Sequence, residues 1–119
     1  MANSNLAGVW SVQKVRGKTI DGDWLNEEVF GGTSVFTPDG KICAFVKTAE
    51  YTLGLTGTFT FDGKTMRQTT MASSNAGYEN QVIEREFTFI EPNLMVLAGV
   101  DEVTGLPYEI TLRKTNEVT

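Results

Sequence analysis

The stretch TGTFTFDGKTMRQTTMA, residues 56–72, decides the fold. Its first arm alternates polar and apolar residues, the period-two pattern of a half-buried strand. Phe59 and Phe61 fall on one face of that arm. Asp62-Gly63 follows and is the strongest hairpin signal in the chain, because a type I′ turn needs positive φ at both central positions. Lys64 to Ala72 returns, with Met66, Gln68, Thr70 and Ala72 on one face and Arg67, Thr69 and Met71 on the other.

The same pattern extends outward in both directions. Upstream, Thr33 to Thr37 and Lys41 to Thr48 flank Pro38-Asp39-Gly40, where proline presets φ and glycine accepts a positive value. Val9 to Val15 reads as the first strand, followed by a short edge segment with Ile20, Trp24 and Leu25. Asn26 to Phe30 reads as one helical turn stopped by Gly31-Gly32. Downstream, Gln81 to Ile90, Leu94 to Val100 and Pro107 to Lys114 are separated by Pro92-Asn93 and by a loop holding Gly105. These are about eight sequential strands with short connections and little helix. A sandwich usually needs longer crossings between its sheets. The expectation is therefore all-β: a closed eight-stranded antiparallel up-and-down barrel, one domain over residues 1–119.

Composition narrows the chemistry. The 119 residues carry ten Lys+Arg against fifteen Asp+Glu, a net charge of -5. That balance argues against nucleic acid and against anionic membranes as partners. Cys43 is the single cysteine, so no internal disulfide forms, and a cytoplasmic setting is the expectation. The chain has no histidine, which removes Ser-His-Asp triads, Cys-His dyads and the common His-ligated metal sites. No cofactor and no metal are expected. Acid–base work would fall to Asp, Glu, Lys, Tyr or Cys43.

The opening Leu6-Ala7-Gly8-Val9-Trp10-Ser11-Val12 carries a Gly-x-Trp strand. Together with Thr37-Pro38-Asp39-Gly40, the Gly57-to-Gly63 hairpin and the last strand, it resembles the lipocalin-like domain proteins of the calycin superfamily. The ordered resemblance spans roughly residues 6–116. It implies a barrel with a pocket. It also implies that Trp10 closes one barrel end under a basic residue of the last strand, a place for which Arg113 is suited. Some barrels of this kind act as cyclases or isomerases in natural-product pathways by folding a flexible substrate.

Alternation then selects candidate ligand-binding residues. In Gln81 to Ile90 the apolar set is Ile83, Arg85, Phe87 and Phe89, which places Arg85 among inward positions. An interior guanidinium needs a partner: a ligand carboxylate or enolate, or an internal glutamate. Tyr108 on the last strand is a candidate hydrogen-bond donor or general acid, or a tyrosine with its hydroxyl at the rim. Phe87, Met66, Gln68 and Phe45 are candidate pocket liners, and Trp24, Tyr51 and Tyr78 candidate mouth aromatics. Three functions follow. The first is binding of a small apolar or amphipathic molecule by a monomer or homodimer. The second is cofactor-independent cyclisation or isomerisation in the same pocket. The third is a filled barrel with a structural role.

Overall fold

A computed structural model describes residues 6–75, 79–101 and 104–118. Nine strands follow one another: β1 (Gly8–Lys18), β2 (Trp24–Glu27), β3 (Val29–Phe36), β4 (Lys41–Thr48), β5 (Thr52–Phe61), β6 (Thr65–Ser73), β7 (Val82–Glu91), β8 (Leu94–Val100) and β9 (Pro107–Asn116). All neighbours are antiparallel, and β1 pairs with β9 to close the sheet. β2 and β3 share one barrel position. Both lie along the same edge of β1, with Val15 opposite Glu27 and Ser11 opposite Thr33, and Glu28 alone separates them. The result is a closed eight-stranded barrel with no free edge along its main body. Among the described residues, no helix is long and apolar enough to cross a membrane.

Two local expectations are corrected. Asn26 to Phe30 is extended, not a helical turn, because the second half of β1 offers Val15 to Lys18 as a pairing edge. The following glycines are strand residues, and the second of them is a place of close approach. A Cβ on Gly32 would stand 2.8 Å from Val12 Cγ2. The Asp62-Gly63 turn is not type I′ either, since Gly63 alone takes a positive φ, 103°. The Asp62 carboxylate instead accepts the amides of Lys64 and Thr65 at 2.9 and 2.7 Å. Those donors hold its carboxyl below the usual carboxylate range.

One end of the barrel is filled. Phe36 meets Phe59 edge-on at 5.4 Å and Phe87 at 6.0 Å, and Phe61 lies 5.7 Å from Phe87. Phe89 links this set to Trp10, with centroids 6.1 Å apart. Met66, Met95 and Leu112 complete the packing. Trp10 is fully buried, and its Nε1 donates to the Leu6 carbonyl at 2.8 Å. A buried indole N–H needs such an acceptor.

The cation over Trp10 is Lys114, not Arg113. Its Nζ stands 5.3 Å from the ring, and its side chain is nearly buried. Alternation gives the reason. Tyr108, Ile110 and Leu112 turn inward, so Lys114 turns inward with them and sits opposite Trp10. Arg113 points to solvent. The lysine stem packs under the barrel floor and carries its ammonium onto the indole face.

Candidate functional site

The other end of the barrel is hollow. A cavity of about 790 Å³ opens between the connections that follow β1, β4, β6 and β8. This volume lies in the range of small-molecule sites. Its walls are inward strand residues, among them Val12, Ala44, Leu55, Ile83, Leu97 and Ile110. The tight turns at Thr37–Gly40 and Asp62–Lys64 lie at the opposite, packed end. The barrel is therefore open at one end and blocked at the other.

Arg85 stands where the two halves meet. It lines the cavity, while Phe87, the next inward residue of β7, belongs to the packed core. Its Nη1 donates to Gln68 Oε1 at 3.5 Å, and Gln68 Nε2 donates to Thr70 Oγ1 at 3.0 Å. Gln68 and Thr70 are buried, so they fix the guanidinium through a side-chain relay inside the wall. The Arg85 Nε is buried and has no hydrogen-bond partner. Among the described residues, the carboxylates in ion pairs are Asp39, Glu84, Glu109 and Glu117, and none pairs with Arg85. No glutamate among the described residues is the internal partner that the sequence reading left open.

Tyr108 lines the same cavity. It sits between two glycines, opposite Gly17 on β1 and Gly99 on β8. The ring lies on the Gly99 side. A Cβ built on Gly99 would fall 2.7 Å from the Tyr108 hydroxyl and 2.8 Å from Cζ, whereas nothing lies within 4 Å of one built on Gly17.

The mouth carries Leu25, Tyr51, Val100 and Leu106 together with Glu27, Glu28 and Glu50. Burial, with Glu50 nearby, raises the Glu27 carboxyl above the ordinary glutamate range. Among the described residues, no group of three His, Cys, Asp or Glu is placed to hold a metal ion.

The structure thus brings Arg85, Tyr108 and Tyr51 to the cavity and places the other candidates elsewhere. Phe87, Met66 and Gln68 face inward but lie in the packed part of the wall. Phe45 borders the cavity, yet its side chain belongs to the outward set of β4 with Cys43 and is about half exposed. Trp24 is an outside residue, paired with Lys18 and covered by the Arg16 guanidinium 4.3 Å from its ring. Arg16 is itself held by Glu109, with Nε donating to Oε1 at 2.7 Å. Tyr78 lies outside the described residues. Sequence reasoning missed Ala44, Leu53 and Leu55 as liners. The strand of Ala44 was legible, whereas Leu53 and Leu55 precede the strand read from Thr56, and alternation alone does not say which half of a barrel is empty.

No protein-family model and no curated protein matches the sequence. Similarity to solved structures does appear. One is a de novo designed fluorescence-activating β-barrel, 15% identical, with 96% of this chain and 97% of that one covered and a TM-score of 0.59. Another is a redesigned β-barrel, 19% identical, with 96% and 95% covered and a TM-score of 0.55. At these identities the likeness is one of fold, and the fold it shows is the closed antiparallel β-barrel.

Proposed function

We propose that this lipocalin-like barrel binds a small amphipathic molecule in its hollow half, a carboxylate on an apolar body. The observation that carries this is Arg85: a half-buried guanidinium that borders a largely apolar cavity and has no ion-pair partner among the described residues. Its Nη1 is turned to Gln68 and its Nε is enclosed in the wall, so a guest meets the part of the guanidinium that borders the cavity. A guanidinium and a carboxylate form a charge-assisted pair. The apolar body then lies among Ala44, Leu55 and Ile110, toward the mouth. A barrel of similar fold described as fluorescence-activating is in keeping with a small molecule held in such an interior.

Calorimetric titration with decanoate and with decanol tests the reading. Decanoate is expected to bind more tightly than decanol. Ala44→Phe places a ring in the hollow half and is expected to weaken both by at least ~10-fold while the far-ultraviolet spectrum stays that of the wild type. Unchanged affinities in Ala44→Phe would move the binding place out of the cavity.

A further inference from the structure

The net charge of -5 hides an uneven distribution of cations. Lys14, Arg16 and Lys18 on β1 and Arg113 on β9 lie on one stripe of the outer wall. A bulge in β1 puts them there. Trp10 and Val12 face inward, and unbroken alternation would carry Lys14, Arg16 and Lys18 inward after them. The register against β9 instead shifts between Val12 and Lys14, so that Val15 is buried and Lys14 exposed. A shift of one residue turns every later side chain to the other face. The cations alternate with Val15 and Gly17, so they form no run in the sequence.

The stripe has a spacing and a length. Successive cations on β1 stand about 6.6 Å apart along the strand, two residues at about 3.3 Å each. Arg113 lies opposite Ser11, which sets the stripe from Ser11 to Lys18 at about 23 Å. One carboxylate intervenes, Glu109, which holds Arg16. Lys14, Lys18 and Arg113 make no ion pair among the described residues. Their ladder neighbours Ser11, Thr33 and Thr111 are uncharged. Beyond both ends the sign reverses. Asp21 and Asp23 stand exposed in the turn after Lys18, and Glu117 lies past Arg113 at the closed end, paired with Lys114.

We propose that this stripe docks a short, extended acidic segment of a partner protein, with carboxylates on alternate residues. Two extended chains share one two-residue repeat, so such carboxylates meet the cations of β1 in step. The Arg16–Glu109 pair is the same contact made within the chain. The length of the stripe selects the class of partner. A segment of about seven residues fits between the flanking carboxylates. Single-stranded nucleic acid or an anionic lipid surface runs past both ends onto Asp21, Asp23 and Glu117 and faces the acidic body as a whole. With a Debye length of about 8 Å at physiological salt, a short segment feels the stripe and little else. The site lies on the outside of the barrel and is independent of any guest in the cavity.

The test is an amide-shift titration of the full chain by nuclear magnetic resonance. The probe is a capped heptapeptide of alternating glutamate and threonine, with glutamate at both ends. A second peptide carries glutamine in place of glutamate. Exposed ion pairs are individually weak, so the expected dissociation constant is on the order of 100 μM at about 20 mM salt. The glutamine peptide is expected to bind at least ~10-fold more weakly, and raising the salt to about 500 mM should weaken the glutamate peptide by a similar factor. Shifts should concentrate on β1 and β9. Lys14→Gln and Arg113→Gln are each expected to cost about threefold and together about 10-fold. Neither residue lines the cavity, so the melting temperature and the decanoate titration should stay those of the wild type.

Equal affinity for the two peptides, or a double variant that binds like the wild type, overturns the proposal. So do shifts confined to the mouth. An oligothymidylate or phosphatidylserine vesicles that bind more tightly than the peptide at the same salt overturn the assignment of partner. If Lys14→Gln/Arg113→Gln does not fold, the two single variants and the glutamine peptide decide the question.

Discussion

Trp10→Ala is expected to destabilise the protein by about 3–5 kcal/mol, the usual cost of emptying a large aromatic from a packed core. Three losses coincide at this position. The ring contact to Phe89 disappears, the Leu6 carbonyl loses the indole N–H, and Lys114 loses the surface on which its ammonium rests. The last uncovers a nearly buried lysine side chain, whose ammonium then keeps only Glu117, 3.6 Å away. Urea denaturation followed by circular dichroism measures the effect. The midpoint should fall with little change in slope, since the unfolded surface is nearly the same. Trp10→Phe should recover part of the loss by restoring ring packing without the N–H. A cost below about 1 kcal/mol for Trp10→Ala would mean that the closed end contributes little to stability.

The second large effect has opposite signs in its two readouts. Arg85→Met is expected to weaken decanoate binding about 100-fold, the charge-assisted pairing with the carboxylate being lost. Decanol should bind within about threefold of wild type, because its affinity comes from the apolar wall. The same substitution should raise the melting temperature of the free protein. Methionine fills the position with an adaptable apolar side chain and removes the orphaned Nε from the wall. Gln68 then loses a weak partner at 3.5 Å but keeps Thr70. A gain in stability together with a loss of acid binding is the mark of a residue retained for function. If Arg85→Met instead lowered the melting temperature with decanoate binding intact, Arg85 would be a structural residue.

The barrel was legible in the sequence because most strands announce themselves by alternation and most turns by glycine or proline. Phe59 and Phe61 face the core as their spacing predicts. What was not legible came from pairings between distant strands. Asn26 to Phe30 has the composition of a helical turn, and only the free edge of β1 makes it a strand. Arg113 and Lys114 are adjacent and equally basic; the register of β9 against Trp10 decides between them. Arg85 and Tyr108 were found by counting inward positions. Gly99 left no trace, because a glycine inside an apolar strand says nothing until its neighbours across the ladder are known. The division into a packed and an empty half was hidden for the same reason. Phe87 and Arg85 are two residues apart on one face, and one is core while the other is cavity.

The blocked end also governs time. For any molecule held above Arg85 there is one way in, and it is the way out. A change in the mouth that touches no bound molecule alters the height of a single barrier crossed in both directions. Association and dissociation rates then change by the same factor, and the equilibrium constant stays where it was. A change at the floor acts only on the bound state and is read in the dissociation rate. Trp10 and Lys114, which do not line the cavity, thus make the protein a tube whose rate of access is set at one end and whose affinity is set at the other.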